Sequence, residues 1–327
     1  MIIKTPSRLH MTLIDMNGSY GRIDGGIGLT INQPNFILKG EPSEKGLTIE
    51  FNDELSKHVE PECINKISKS ANLVLSHYGI DEGFHFEVEK AYLNHSGLGS
   101  GTQMALATAK LITESFGIEE ETYRLSSIVG RGGTSGIGTF AFDNGGFIVD
   151  GGHSKKEKDT FLPSSASDAK PPKLIARYDF PEEWNIMLAV PNIQSSIAGQ
   201  KEIDIFSEFC PVPQDEVEQI SHLVLMNMIP FLLEKDIKAF GKCVDELQVR
   251  GFNKKEIEIL PPEFEGFMNK VREFGAYGVG ISSFGPTIYS VYDDDNADIV
   301  DATKEYLGPD QMVLTTKAQN HGYEIIK

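Results

Sequence analysis

Cysteine is scarce in this chain: Cys63, Cys210 and Cys243 are the only three among 327 residues, and they stand far apart. They form no C-x-x-C pair, which argues against a thiolate zinc site and against a disulfide framework. Long hydrophobic runs are also missing, since nothing approaches the ~18 consecutive apolar residues of a membrane-spanning helix. The opening Met1-Ile2-Ile3-Lys4-Thr5-Pro6-Ser7-Arg8 has no long apolar segment and no cleavage-site pattern. The expectation is a cytoplasmic protein in a reducing compartment, with no membrane partner. Positive charge is in deficit: 30 Lys and Arg face 48 Asp and Glu, a formal net charge of −18. A nucleic-acid partner is excluded, because holding a phosphate backbone takes clustered cations and no basic stripe is present. An anionic ligand would have to be held locally, by a few Arg or Lys side chains and by backbone N–H groups. Internal repeats and low-complexity tracts are lacking as well.

What is present is ordinary globular text, 40% hydrophobic and 24% charged, enough for one large or two closely packed domains. The first half opens with strand-like segments at Leu9–Ile14, Ile27–Ile31, Phe36–Lys39 and Leu47–Phe51, separated by turn-forming pairs. Pro61–Tyr78 has helical spacing, and Phe84–Glu89 alternates as a strand. That strand leads into a glycine loop and an Ala- and Leu-rich helix reaching about Phe116. Another helical segment precedes a second glycine cluster, Gly130–Gly138, and a strand at Gly146–Asp150. The polar stretch from about Ser154 to Lys173 reads as a linker, dividing the chain into domains 1–165 and 166–327. Beyond it lie a strand at Ile186–Val190 and helices at Gln214–Leu233, Lys235–Arg250 and Pro262–Phe274. Two short strands at Gly278–Ser283 and Thr287–Tyr292 follow, then a helix at Asn296–Leu307 and a final strand at Met312–Thr316 or Tyr323–Ile326. Helices mixed with antiparallel-looking strands give an α+β class. The Met226–Ile229 run reads as a buried helix face, Asp293–Asp295 as a solvated helix-capping turn, and Trp184 as a packing residue at the start of a strand.

Ser96-Gly97-Leu98-Gly99-Ser100-Gly101-Thr102 has what a phosphate cradle needs: glycines for close approach, hydroxyl donors, and a following helix whose first N–H groups are unpaired. It lacks the lysine of a nucleotide-binding Walker loop. It also carries Thr102 where a dinucleotide fingerprint places its third glycine.

Three segments in order, Thr5–His10, the Ser96–Thr102 loop and Gly275–Thr287, together resemble the three motifs of the GHMP kinases, over nearly the whole chain. Within that superfamily Pro6–Asp15, Gly21–Gly28, Asn94–Gln103 and Gly130–Gly138 resemble the β-ribofuranosylaminobenzene 5′-phosphate synthases. The resemblance implies a GHMP-kinase fold, with a ribosomal-protein-S5-like N-terminal domain and a ferredoxin-like C-terminal domain. It implies a decarboxylating phosphoribosyl transfer that joins 4-aminobenzoate, or a 4-hydroxybenzoate-like ring, to phosphoribosyl pyrophosphate. Carbon dioxide and pyrophosphate are released, in the pathway to methanopterin. It also implies a homodimer, a magnesium ion and no organic cofactor.

That reaction distributes roles among candidates. Ser96, Gly97, Leu98, Gly99, Ser100, Gly101 and Thr102 would hold pyrophosphate, with Ser100 near magnesium. Arg8, Arg22 and Arg131, beside glycine or proline turns, suit bidentate recognition of phosphate or of the aromatic carboxylate, or else serve surface ion pairs. Thr134 and Ser135 join them as substrate contacts. Asp15, Asp24 and His10 are the candidate proton acceptors by position; for the two acids, turn chemistry is the alternative. His95 is either a phosphate contact or a surface histidine. Where many GHMP kinases carry a proton-accepting Asp after Ser-Gly-x, this chain has Gly138. A small-molecule kinase of the same fold is therefore the second reading, and a non-catalytic ligand sensor the third. Gly101, where a kinase loop usually has a side chain, is expected to leave room for a diphosphate on ribose.

Overall fold

The computed structural model describes residues 1–52, 60–92, 95–164, 166–191, 197 and 199–326; Asn94 of the loop motif lies outside them. In chain order the strands are β1 (Ile2–Asp15), β2 (Arg22–Ser43), β3 (Leu47–Phe51), β4 (Gly83–Lys90), β5 (Phe147–Asp150), β6 (His153–Ser154), β7 (Leu174–Tyr178), β8 (Asn185–Val190), β9 (Gly278–Ile281), β10 (Ile288–Tyr292), β11 (Met312–Thr316) and β12 (Glu324–Ile326). The helices are α1 (Glu60–Tyr78), α2 (Ser100–Ser115), α3 (Thr122–Ile128), α4 (Ile137–Asp143), α5 (Gln200–Phe209), α6 (Gln214–Leu223), α7 (Ile229–Glu234), α8 (Ile237–Gln248), α9 (Gly251–Glu258), α10 (Glu263–Glu273) and α11 (Ile299–Leu307).

The first sheet runs β12-β1-β2-β4-β3, with β5 and β6 added along the first half of β2 and β7 added to β5. Its inner face buries Phe36, Leu38, Phe84 and Phe86 against Ile67 and Val74 of α1 and Leu106 and Leu111 of α2. Helix α2 is buried along nearly its whole length, which fixes its N-terminus at the centre of the molecule. The second sheet, β11-β8-β10-β9, is antiparallel throughout. Phe264, Met268 and Val271 of α10 and Ile299 of α11 pack on Met187, Val279 and Ile288 of that sheet.

The two expected strands Ile27–Ile31 and Phe36–Lys39 are one strand, β2. Its pairing with β1 jumps from Ser7↔Ile31 to Thr5↔Phe36, so residues 32–35 bulge out. Their polar groups are satisfied from the far end of the chain: Asn32 N–H donates to Lys317 O at 3.0 Å and Gln33 N–H to Thr316 Oγ1 at 3.1 Å. Both alternatives for the final strand occur, as β11 and β12. The helix expected over Gln214–Leu233 contains a π turn at Val224–Met228 ahead of Pro230, and its Met run is only half inside, with Met228 buried and Met226 exposed. Helices α4, α5 and α9 are additions to the sequence reading. The sheets do not divide at residue 165: β7 pairs with β5, and β12 pairs with β1, both in the first sheet. The polar stretch before β7 thus returns the chain to the sheet it has just left.

Candidate active site

The Ser96–Thr102 loop turns through two glycines in the left-handed region, Gly97 at φ 79° and Gly99 at φ 80°. A side chain at Gly97 would collide with the carbonyl of Ser282, and one at Gly99 would come within 3.1 Å of the Arg8 side chain. The three sequence segments therefore meet here by direct contact. Arg8 N–H donates to Leu98 O at 3.1 Å, Ser283 N–H to His10 O at 3.2 Å and His10 N–H to Ser282 Oγ at 3.0 Å. The Ser282 hydroxyl in turn donates to Gly97 O at 2.6 Å. Arg8 Nη1 also donates to Gly97 O. Its buried Nε has no hydrogen-bond partner among the described residues.

These contacts wall a cavity of about 320 Å³. Arg8, Lys66, Arg131, Ser96, Ser100 and Thr102 give its wall cations and hydroxyls. Arg131 Nε donates to Thr102 Oγ1 at 3.3 Å, and Gln103 Nε2 ties α2 to the second glycine segment at Gly138 O, 2.9 Å away. A Cβ at Gly101 would lie 2.7 Å from Arg131 Nη2 and 3.2 Å from Lys66 Nζ, so the missing side chain is the space these cations occupy. Burial and the neighbouring Arg131 bring Arg8 down to about 10, still cationic at neutral pH. Burial also lowers Arg131, against the pull of Glu202. Leu13, Phe206 and Phe284, which share one apolar cluster, also line the cavity, as do Glu202 and Glu256.

The sequence candidates fall into separate groups. Arg8, His10, Ser96, Gly97, Gly99, Ser100, Gly101, Thr102, Arg131, Thr134 and Ser135 line the cavity; Leu98 backs the loop in the core. His10 is pushed down to about 3 by burial and by Arg8, so its ring is neutral at physiological pH and does not accept a proton there. Asp15 is outside the lining, and its Oδ1 accepts the N–H groups of Asn17 and Gly18 at 3.0 and 2.8 Å, an Asx turn. Arg22 is exposed and donates to the carbonyls of Gly151 and Gly152. Asp24 is fully buried: its Oδ2 meets His153 Nδ1 at 2.6 Å and Lys158 Nζ at 3.0 Å. Lys158 Nζ also donates to Thr134 Oγ1 and Leu162 O, each at 3.0 Å, and His153 Nε2–H donates to Lys170 O at 2.8 Å. Asp24 thus anchors the segment that carries Pro163 and Ser164 to the cavity wall. Asp150, unremarked in the sequence, accepts from Ser135 Oγ, Gly136 N and Gly152 N; burial raises it to about 6. His95, at the exposed rim, pairs with Glu62 at 3.0 Å. Glu202, Glu256 and Lys66 are the charged lining residues that sequence reasoning missed. Lys66 carried a signal, since it pairs with Glu62 one helical turn earlier and lies on the loop-facing helix.

Among the described residues no cluster of three His, Cys, Asp or Glu could hold a metal ion. Magnesium, however, ordinarily binds through one or two carboxylates together with substrate phosphates. Ser100, on the cavity wall, would be its protein ligand, with the other positions left to a diphosphate and water. No described helix is long and apolar enough to cross a membrane.

A phosphate-type loop at the N-terminus of a buried helix, closed by segments from both ends of the chain, defines the class. Residues 65–146 match the GHMP kinases N terminal domain and residues 228–305 the GHMP kinases C terminal model. The solved structure of a mevalonate kinase superposes with a TM-score of 0.70 at 14% identity, over 98% of this chain and 100% of that one. The chain has the GHMP-kinase fold. Within it, β-ribofuranosylphenol 5′-phosphate synthase of Methanothermobacter thermautotrophicus is 49% identical over 100% of this chain and 99% of its own length. The protein of that name from Archaeoglobus fulgidus is 41% identical over 99% and 98%. The chain belongs to the β-ribofuranosylphenol 5′-phosphate synthase family and is a transferase-type enzyme.

Proposed function

We propose that the protein transfers the 5-phosphoribosyl group of phosphoribosyl pyrophosphate to the carboxylate-bearing carbon of a 4-substituted benzoate, releasing carbon dioxide and pyrophosphate, as a step toward methanopterin in the cytoplasm. The observation that carries this is a cavity whose wall combines cations and hydroxyls suited to a diphosphate with the Leu13–Phe206–Phe284 apolar cluster suited to a ring. The relatives' names, which refer to a phenol, support a hydroxyl as the ring's para substituent.

The anomeric carbon–oxygen bond breaks with its electron pair going to pyrophosphate, so negative charge grows at the cradle. Arg8, Lys66 and Arg131 and the N–H groups at the start of α2 are already oriented there and stabilise it without reorganisation. Gly101 keeps that space open. The ring carbon attacks the oxocarbenium-like sugar, and loss of carbon dioxide returns an electron pair to the ring. Magnesium held at Ser100 would add positive charge at the leaving group.

The test is incubation with magnesium, phosphoribosyl pyrophosphate and carboxyl-labelled 4-hydroxybenzoate or 4-aminobenzoate, without ATP. Label release that requires both substrates is expected, faster with the hydroxyl compound. No release, with phosphate moving from ATP to a small alcohol, would replace this reading by a kinase.

A further inference from the structure

The phenol reading leaves a proton without a destination. As the ring carbon bonds to the sugar, positive charge builds on the para oxygen, and passing its proton to a base as that bond forms makes the ring carbon a stronger nucleophile. The acids and bases near the site are mostly committed. His10 is held neutral by burial and Arg8. Asp15 closes a turn, Asp24 binds His153 and Lys158, and Asp150 already accepts from three donors. Glu202 lies toward Arg131, whose charge it supports.

Glu256 differs. It sits on α9 one turn after Phe252, the spacing that places two side chains on one helix face. Phe252 is buried against Phe206 and Phe284, with ring centroids 4.7 and 5.9 Å apart. Helix α9 is pinned to β1 by Asn253 Nδ2, which donates to Met11 O at 2.7 Å. Glu256 is itself buried, lines the cavity that Leu13, Phe206 and Phe284 also line, and makes no ion pair or hydrogen bond with another described residue. We propose that Glu256 accepts the para O–H proton of the acceptor ring as the carbon–carbon bond forms and returns it to the phenolate after carbon dioxide leaves. The inference rests on the phosphoribosyl-transfer reading above. The books balance within the two substrates: the ring's electron pair makes the new bond, the carbon–carboxylate pair restores the ring, pyrophosphate takes the anomeric pair, and the proton goes out and back.

Desolvation and the neighbouring Glu202 raise Glu256 to about 8. A carboxyl in that range is a stronger base than an ordinary one and is mostly protonated at neutral pH, so activity should climb with pH. The other charged or titratable groups on the same wall are Arg8, His10, Lys66, His95, Arg131 and Glu202.

The experiment compares the full-length enzyme with Glu256→Gln and Glu256→Asp, following carbon dioxide release from 4-hydroxybenzoate between pH 6 and 10 and phosphoribosyl pyrophosphate binding by calorimetry. In the parent, kcat/KM should rise about tenfold per pH unit and level off near pH 8. Glu256→Gln should lose that limb and roughly 10²–10⁴ of the rate at pH 8, bind phosphoribosyl pyrophosphate as the parent does, and recover as pH nears the phenol's own ionisation at about 10. Glu256→Asp should keep the limb at a lower rate. A Gln variant with the parent's rate and pH limb overturns the assignment, as does one whose diphosphate binding falls along with its rate. A parent that turns over neither benzoate overturns the phosphoribosyl-transfer reading itself, an outcome separate from the other two.

Discussion

Replacing Gly101 by alanine should make the protein more stable and a poorer enzyme. Gly101 lies in the first turn of α2 with an ordinary helical backbone. Exchanging a helical glycine for alanine gains roughly 0.5 kcal/mol through reduced backbone entropy in the unfolded chain. In a domain of this size that corresponds to a melting-temperature rise of roughly 1–2 °C. The new methyl would stand 2.7 Å from Arg131 Nη2 and 3.2 Å from Lys66 Nζ. Both are ends of flexible side chains, so they move aside and the fold survives. What is lost is one or both charge-assisted contacts to the diphosphate, each worth about 1.5–3 kcal/mol, or roughly 10- to 150-fold in affinity. Calorimetric titration with phosphoribosyl pyrophosphate and thermal unfolding of the same samples read the two effects. A variant that gains stability and binds the diphosphate as tightly as the parent would refute the idea that this gap is reserved for the cations. Loss of both stability and binding would instead mean that the first turn of α2 cannot accept the methyl.

Two further predictions concern stability. His10, held at about 3 by burial, refuses a proton that the unfolded chain binds below about 6.5. Its contribution is therefore complete above pH 6.5 and lost as pH falls, at about 1.4 kcal/mol per unit. The stability difference between parent and His10→Gln, from urea titrations, should shrink by about 2 kcal/mol between pH 6.5 and 5; a flat difference contradicts the burial argument. Lys158→Met strips one of two partners from the fully buried Asp24 and should cost about 3 kcal/mol in the same assay. A cost below about 1 kcal/mol would mean that His153 alone satisfies that carboxylate.

The glycine loop was legible because its requirements are local: glycines at 97 and 99 that take positive φ, and a helix beginning at Ser100. Arg8, His10 and Ser282 could be brought to it only through the order of three distant motifs, since no spacing announces contacts across more than 180 residues such as Ser282 to Gly97. Glu256 gave no signal. It stands in Gly251–Glu258, polar text with the look of a surface segment, and becomes a wall residue only because Asn253 ties α9 to Met11 O. Asp24 misled for a related reason: an acid before two glycines fits a turn or a site, whereas its partners His153 and Lys158 lie about 130 residues on. The continuity of β2 was hidden because the groups freed at residues 32–35 are paired by Thr316 and Lys317.

The pairing of β12 with β1 sets a clock on biosynthesis. Ile2, Ile3 and Lys4 meet Ile326, Ile325 and Glu324, so one edge of the first sheet stays open until the last strand emerges from the ribosome. At about 5–20 residues per second that wait lasts roughly 15–60 s, long enough for an open edge to recruit another nascent chain. Lys4, whose Nζ finally rests 3.4 Å from Glu324, places a charge on that edge throughout the interval, the kind of residue that discourages strangers from pairing there.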